Sequence, residues 1–274
     1  MRLRRVLLVP QIIWLARRAP RDVETRWDRY WAAVERTGDD GDVLWDASTS
    51  TEADHYLDLL GTHADPALPA LDVGCGNGRF TRVLAQRFQP AIGVDLSPHA
   101  VARARAESGS LPHLQFRVAD MTAEGTGRTL RDELGPCNVL VRGVLHVLAP
   151  ADRRRLAANL AELLDSPGAT LLVAETNHPG SLLAYLEDLG ARPTGFPRAL
   201  GRAITAGLPR PSPFGGDELA DTFPEDGWDR VRTEHDARIA TVPAHRGDVG
   251  GSIPGVVAVL RRRSGAVPPG DPSV

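Results

Sequence analysis

The stretch LDVGCGNGRF, from Leu71 to Phe80, decides how this chain is interpreted. Three glycines, Gly74, Gly76 and Gly78, stand at alternate positions directly behind a short apolar run. Glycine has no Cβ atom, so such a turn suits either a tight bend or a close approach of the backbone to a ligand. Taken alone, the stretch leaves both interpretations open: a turn needed only for folding, or a cradle for a nucleotide-like ligand.

The segments that follow this turn alternate between helices and strands. After the turn come RFTRVLAQRF, a helix, AIGVDL, a strand, and SPHAVARARAESG, a helix with Ser97 as its N-cap. The alternation continues through LQFRVAD, CNVLVRGVLHVL, ADRRRLAANLAELL and GATLLVAETN. This order predicts an α/β fold, with a doubly wound, Rossmann-like parallel sheet and helices on both of its faces.

Acidic residues at two strand ends favour the ligand cradle over the plain turn. Asp95 ends the second predicted strand and Asp120 ends the third, so both carboxylates lie at the same sheet edge as the glycines. There, Asp95 can accept hydrogen bonds from ribose hydroxyls, and Asp120 can reach an adenine amino group. Asp72, just ahead of the turn, disfavours a pyrophosphate ligand and favours a cationic one.

The composition narrows the classes of function. A net charge of -3 gives no general bias toward nucleic acids or anionic membranes. The chain contains no lysine, which excludes Schiff-base chemistry and the phosphate-binding GxxxxGK[ST] loop. Cys75 and Cys137 are too few for a disulfide scaffold, so a reduced, cytoplasmic location is expected. We expect no metal site.

Four motifs together resemble a known family. DVGCGNG, GVDLS, VAD and NVLVRGVLHVL are similar, in order and spacing, to the class I S-adenosylmethionine-dependent methyltransferases, over about residues 68–177. The resemblance implies S-adenosyl-L-methionine as cofactor, and a seven-stranded sheet in which only the last strand is antiparallel. The sequence departs from the family pattern at Asn138, near where an acid is usual, and we assign Asn138 no role.

The resemblance also implies a set of cofactor-binding residues. The glycines and Asp72 would lie beside the methionine part, Asp95 on the ribose, and Asp120 and Met121 on the adenine. Arg142 and Gly143 would follow the fourth strand beside the transferring methyl group. The complete predicted set is Asp72, Gly74, Gly76, Gly78, Asp95, Leu96, Asp120, Met121, Arg142 and Gly143.

His146 is the candidate catalytic residue. Methyl transfer needs a general base only when the acceptor arrives protonated at a high pKa, as an alcohol does. His146, four residues past Arg142, suits that role, and a packing or capping histidine is the alternative. Glu175, Asn177 and His178 follow the fifth strand at the same edge, where they would contact an acceptor or belong to a solvated loop.

Aromatic residues cluster in the first part of the chain. Trp27, Tyr30 and Trp31 share one helical face by their spacing, and Trp45 follows closely. Aromatic faces can shelter a sulfonium or an apolar acceptor, so we expect this segment to form a lid over the site. Ordinary packing of a cap helix onto the sheet edge is the alternative.

The apolar segment at residues 3–18 allows three interpretations. Arginines flank VLLVPQIIWLA on both sides, and the segment is too short to span a bilayer as a helix. It would pack against its own domain, lie at a membrane surface or on a partner protein, or act as a targeting segment. A weak, peripheral membrane contact therefore stays open beside the cytoplasmic location.

The predicted organisation is a cap followed by one large domain. Residues 1–60 form a helical cap or lid, residues 61–264 the methyltransferase domain, and residues 265–274 a disordered tail. Residues 191–215 are a Pro/Gly-rich insertion, expected to be a loop or short lid. After it, GGDELADTFPEDGWDRV is predicted as a helix, and TEHDARIATV and GVVAVLRRR as the last two strands.

These observations predict a methyltransferase that acts on a small-molecule acceptor. Oxygen is the favoured target atom, with sulfur or nitrogen next, and secondary metabolism is a candidate setting. The alternatives are a protein that binds the cofactor or a nucleoside without catalysis, an RNA or protein methyltransferase, and a dehydrogenase. Nucleic acid is disfavoured because NVLVRGVLH lacks the NPPY-type sequence of amino-methylating nucleic-acid enzymes.

Overall fold

The chain folds around one seven-stranded sheet. The structure is a computed structural model that describes residues 7–17, 19–47, 50–242 and 251–263, so the predicted tail at 265–274 lies outside the described residues. The strands are β1 (Ala70–Val73), β2 (Ala91–Asp95), β3 (Leu114–Val118), β4 (Asn138–Arg142), β5 (Leu171–Thr176), β6 (Trp228–Thr241) and β7 (Gly251–Arg262). Their order in the sheet is β3-β2-β1-β4-β5-β7-β6.

The strand directions confirm the predicted fold class. Strands β1 to β5 pair in parallel, whereas β7 is antiparallel to both of its neighbours, β5 and β6. Strands β1, β2, β4 and β5 are buried along their whole length, because helices cover both faces of the parallel part. The strand order reverses between β1 and β4, so a crevice opens at their carboxyl ends.

Helices pack on both faces of the sheet. They are α1 (Val9–Ala16), α2 (Val23–Ala33), α3 (Ser50–His63), α4 (Arg79–Leu84), α5 (Pro98–Ser108), α6 (Thr126–Leu134), α7 (Pro150–Leu163), α8 (Leu182–Asp188), α9 (Arg198–Ala206) and α10 (Gly216–Thr222), with a 3₁₀ turn at Leu145–Val147. Leu71 of β1 belongs to a core cluster with Leu156 and Leu160 of α7. Its neighbour Ala70 faces a second cluster, which contains Leu60 of α3. The alternation of β1 side chains therefore serves one core on each face.

The structure differs from the sequence-based expectations in the less regular regions. The segment 191–215 contains α9, where a loop or short lid was expected. The helix predicted through GWDRV instead ends at Thr222, and β6 begins at Trp228, five residues before the predicted strand. Trp228 is buried against Phe223, with ring centroids 5.1 Å apart, so tertiary packing decides this boundary.

Helix α1 occupies the apolar segment near the start of the sequence. It is eight residues long, and no helix among the described residues is long and apolar enough to cross a membrane. Leu8 and Ile12 pack into a cluster with α8 and α9, so the segment contacts its own domain along one side.

A buried asparagine ties the loop after β3 to helix α7. Asn159 donates from Nδ2 to the carbonyls of Met121 and Ala123, at 2.9 and 2.8 Å, and accepts from the amide of Gly127 at 2.8 Å. A Cβ atom on Gly127 would lie 2.0 Å from the Asn159 carbonyl oxygen, so glycine allows α6 and α7 to meet. This contact holds the loop that follows β3 at the sheet edge.

We expect Gly127→Ala to destabilise the fold by about 1–3 kcal/mol, the usual cost of overpacking a close contact. Gly201→Ala is the matched control, because Gly201 lies inside α9 and its nearest neighbour to a new Cβ is 3.8 Å away. That change should stabilise by up to about 1 kcal/mol through helix propensity. Urea unfolding of both variants checks the pair, and equal effects would contradict the packing argument.

Candidate functional site

The glycine turn after β1 is constrained in conformation and in space. Gly74, Gly76 and Gly78 have φ angles of 71°, 54° and 75°, a region that side-chain-bearing residues rarely adopt. A Cβ atom on Gly74 would lie 2.5 Å from the side chain of Val144, and one on Gly76 would lie 2.7 Å from the ring of Trp31. The turn therefore requires glycine for folding, and it also exposes its backbone to a cavity.

That cavity brings together nine of the ten predicted cofactor residues. The exception is Gly78, which caps α4 and packs beside Phe116, outside the lining. The nine residues are Asp72, Gly74, Gly76, Asp95, Leu96, Asp120, Met121, Arg142 and Gly143. They come from the carboxyl ends of β1 to β4, which meet at one edge of the sheet. We call this space the cofactor cavity.

Two buried carboxyl groups border the cofactor cavity. Asp95 accepts hydrogen bonds from the amides of Gly76 and Ser97, both at 2.9 Å. Asp72 accepts a hydrogen bond from the hydroxyl of Thr81 at 2.6 Å. Burial raises the pKa of Asp72 and that of Asp95 to about 6, because desolvation disfavours the charged form. Asp95 thereby joins the glycine turn to the start of α5.

Asp120 and Met121 form the side of the cavity that follows β3. Asp120 is exposed, and its Oδ1 accepts from the amide and the hydroxyl of Thr122, at 2.8 and 2.7 Å. Met121 is 5% exposed, and Asn159 holds its carbonyl. Asp120 and Met121 thus present one polar and one apolar side chain to the cofactor cavity.

Asp46 is a cavity residue that the sequence reasoning missed. Its Oδ2 accepts from the amide of Gly38 at 2.6 Å and from the side-chain amide of Asn77 at 2.9 Å. Burial raises the pKa of this carboxyl above its usual value. Its sequence neighbourhood, VLWDAST, carries no motif, so only the tertiary structure brings it to the cavity.

Arg142 makes a buried ion pair with Glu52 of α3. Its Nε and Nη2 lie 2.6 and 3.2 Å from the two carboxylate oxygens, and its guanidinium lies 4.5 Å from the centre of the Phe80 ring. Burial opposes ionisation of Glu52, but the charge of Arg142 and its hydrogen bonds outweigh it and lower the pKa of that carboxyl. Sequence reasoning missed Glu52 because a single glutamate in a helix carries no signal.

His146 and Glu175 form a buried pair beyond the fourth strand. The Glu175 carboxylate accepts from the amides of Val144 and Leu145, at 2.9 and 2.8 Å, and lies 2.6 Å from Nδ1 of His146. A carboxylate can only accept, so Nδ1 carries the hydrogen and Nε2 is left as an acceptor. Glu175 is fully buried behind the histidine and lines neither cavity, although the sequence grouped it with acceptor contacts.

A second cavity, with a volume of about 430 Å³, adjoins the first. The two share Trp27, Trp45, Arg142, Gly143 and Val147 in their linings. His146 lines only the second one, which is otherwise mainly apolar. We call it the acceptor-side cavity.

Two predicted positions after β5 line neither cavity. Asn177 and His178 are absent from both linings. His178 pairs with Asp188 at 2.8 Å, and its ring packs edge-on against Tyr185, which lines the acceptor-side cavity.

The aromatic cluster lies over the junction of the cavities. Trp27 and Trp45 line both cavities, with ring centroids 5.9 Å apart, whereas Trp31 lines only the cofactor cavity. Tyr30 lines neither: it is fully buried, stacks on Trp45 and donates to the carbonyl of Asp42 at 3.1 Å. Tyr30 therefore supports the tryptophans from behind.

Comparison with known proteins agrees with this geometry. Residues 70–168 match the family model of the methyltransferase domain. Trans-aconitate 2-methyltransferase of Methylobacterium radiotolerans is 33% identical over 55% of this chain and 49% of its own length. N-demethylindolmycin N-methyltransferase of Streptomyces griseus is 30% identical over 58% of this chain and 65% of its own length. The chain thus spans less than two thirds of either relative.

A solved structure extends the likeness to the whole fold. A SAM-dependent methyltransferase from Anabaena variabilis superposes with a TM-score of 0.75 at 22% identity, covering 89% of this chain and 97% of that one. The chain shares the fold of that methyltransferase, and its residues 70–168 match a methyltransferase domain, so the class it resembles is that of the class I S-adenosylmethionine-dependent methyltransferases.

The cavity residues fit the cofactor of this class, S-adenosylmethionine. Its adenosine needs hydrogen-bond acceptors and an apolar contact, which Asp95, Asp120 and Met121 offer. Its ammonium and sulfonium groups favour an acidic surrounding, which Asp46 and Asp72 supply. Gly74 and Gly76 of the turn line the same cavity, so their backbone can contact the cofactor directly.

The buried Asp72 leads to a prediction on stability. Its pKa is raised from 3.8 to about 6 in the folded state, so the folded protein holds this proton more tightly than the unfolded chain. The bound proton of Asp72 therefore stabilises the folded protein. This contribution to the free energy of unfolding is complete below pH 3.8 and is lost as pH rises through 6, by an amount on the order of 3 kcal/mol.

We expect Asp72→Asn to flatten the fall in the free energy of unfolding between about pH 4 and pH 7, because the amide keeps an acceptor for Thr81 and cannot ionise. Urea unfolding across that range, without cofactor, measures the slope. An unchanged pH profile in the variant would show that Asp72 is not the group responsible.

Proposed function

We propose that this chain transfers the methyl group of S-adenosylmethionine to a hydroxyl oxygen of a small, partly apolar acceptor. The observation that carries the proposal is the buried His146–Glu175 pair, in which Nδ1 faces the carboxylate while His146 lines the mainly apolar cavity beside the cofactor cavity. The names of two relatives, which specify trans-aconitate and N-demethylindolmycin, support a small-molecule acceptor. Secondary metabolism as the setting is part of the proposal.

The cofactor half of the site acts by binding and orientation. We propose that Asp95 accepts from the ribose hydroxyls, while Asp120 and Met121 hold the adenine. Gly74 and Gly76 would approach the methionine part, and Asp46 would accept from its ammonium group. When bound, the cofactor supplies an electrophilic methyl group on a sulfonium.

The acceptor half of the site handles the proton. In this proposal, Nε2 of His146 takes the proton from the acceptor hydroxyl as the oxygen attacks in line. Glu175 stabilises the resulting imidazolium through the Nδ1–H hydrogen bond and holds the ring in one orientation. A thiol ionises at a much lower pH than an alcohol and needs such a base less, so the histidine favours oxygen over sulfur as the target.

The tryptophans at the junction exclude water. Trp27 and Trp45 border both cavities, so they would cover the path of the transferring methyl group and shape the acceptor space. The lid role of this segment is part of the proposal.

Methyl transfer itself tests the proposed function. Purified protein, incubated with tritiated-methyl cofactor and a small-molecule extract, should yield a labelled methyl ether. A protein that binds the cofactor without catalysis would transfer no label while still binding S-adenosylhomocysteine.

We expect His146→Ala to lower kcat by about 10²–10⁴-fold, the usual contribution of a general base, with the affinity for S-adenosylhomocysteine nearly unchanged. Added imidazole should restore part of the activity, because the cavity then holds a base again. His113→Ala is the control, since His113 lines neither cavity. Unchanged turnover of His146→Ala across pH would contradict the base assignment.

The two tryptophans separate cofactor binding from acceptor binding. We expect Trp31→Ala to weaken binding of S-adenosylhomocysteine by up to about tenfold, through loss of the aromatic contact over the glycine turn. Trp27→Ala should instead raise the KM for the acceptor and broaden the acceptor range. Calorimetry and acceptor kinetics measure the two effects, and identical profiles would mean that Trp27 does not shape the acceptor space.

A further inference from the structure

Helix α1 carries an exposed apolar face. Leu7, Ile13 and Trp14 are 56%, 64% and 60% exposed, and Val9, one helical turn before Ile13, is 37% exposed. We call these four residues, Leu7 just before α1 and three within it, the outer face of α1. They are half of the eight large exposed hydrophobic side chains in the part of the chain that the structure describes. Single exposed apolar side chains are common, but a contiguous group marks an interaction surface.

The opposite side of α1 is already packed. Leu8 is 2% exposed and joins Ile12 in a cluster with Leu186 and Leu200 of helices α8 and α9. The helix is therefore attached to the domain through this packed side. Its outer face takes no part in the core of the described chain.

The charge around α1 differs from that of the whole chain. Residues 1–21 contain six arginines and no acidic residue, whereas the net charge of the chain is -3. Arg17 is exposed, and its guanidinium lies 4.9 Å from the centre of the Trp14 ring. A tryptophan and an arginine beside exposed aliphatic residues is the composition of helices that lie in an anionic membrane interface.

The same helix borders the acceptor-side cavity. Ile12 and Ala16 of α1 line that cavity, as do Ala19 and Pro20 just after it, and His146 lines the same cavity. One side of α1 thus faces the space for the acceptor, and the other side is exposed. A molecule that enters past α1 would come from whatever surface the outer face contacts.

We propose that the outer face of α1 docks on an anionic membrane surface, and that the acceptor is a membrane-partitioned amphiphile which enters the cavity past this helix. The acceptor would carry an ionisable hydroxyl at its polar end and an apolar body that fills the cavity. This second part rests on the proposed function, whereas the docking part does not.

A second copy of this chain is a poorer occupant of the outer face. A two-fold interface would bring the same face of both copies together, and with it the exposed Arg17 beside Trp14 of each copy. Like charges facing each other cost free energy, whereas anionic headgroups neutralise them. A protein partner is the remaining alternative, and the experiment distinguishes it.

Co-sedimentation of the full chain with vesicles tests the docking. Vesicles of phosphatidylcholine and phosphatidylglycerol should bind the protein, more strongly at low than at high salt, and vesicles of phosphatidylcholine alone should bind it weakly. The double variant Ile13→Glu, Trp14→Glu should reduce binding by about tenfold or more, since it adds negative charge and removes apolar contact. Leu111→Glu, Val231→Glu is the control, because those exposed residues lie elsewhere.

Binding of S-adenosylhomocysteine shows that each variant is folded, since neither Ile13 nor Trp14 lines a cavity. The docking is overturned if folded protein fails to bind anionic vesicles, or if the α1 variant binds them like the wild type. It is also overturned if sedimentation equilibrium shows a dimer that the α1 variant dissociates, which would assign the face to a second copy.

Tritiated-methyl transfer to membranes and to the aqueous fraction of one bacterial lysate tests the acceptor class. We expect the label in solvent-extractable lipids. Label confined to aqueous small molecules would overturn the amphiphilic acceptor and leave the methyltransferase intact. Absence of label in both fractions, with intact cofactor binding, would overturn the proposed function itself, while the vesicle result still decides the docking.

Discussion

The turn after β1 has to pass between Val144 on one side and Trp31 on the other, and only glycine fits there. The positive φ angles of Gly74 and Gly76 leave the backbone exposed to the cavity, and the same tight path brings the amide of Gly76 to Asp95. The rest of the site depends on this crowding. Helix α2, the loop after β4 and the second strand all contact the turn directly, so each of them is positioned relative to the same few backbone atoms.

Buried charge is the second organising feature of the site. Carboxyl groups with raised pKa values border the cofactor cavity, while Arg142, in the same lining, is neutralised by Glu52. A cavity whose lining contains four aspartates and two arginines suits a positively charged ligand better than a pyrophosphate. The Glu175 carboxylate works differently: backbone amides and His146 satisfy it, so its charge acts through the histidine ring.

The sequence predicted the parallel sheet well because buried parallel strands are short apolar runs that end at polar or glycine residues. It predicted less well where packing decides. Helix α9 forms in a Pro/Gly-rich segment, and β6 begins at Trp228 because that ring is buried against Phe223. Asp46 and Glu52 reach the site from a region without a motif, so no local pattern could have indicated them.

By itself, the sequence determined the fold class, the cofactor and the strand ends that carry the cofactor residues, because glycine spacing and terminal acids are local features of a βαβ unit. Only the tertiary structure decided which way each of these residues faces and which group it contacts. It turned Gly78 away from the cavity toward Phe116, and it set Glu175 behind His146 instead of in front of an acceptor. The physical reason is that side-chain direction and partner choice depend on contacts between elements far apart in the chain.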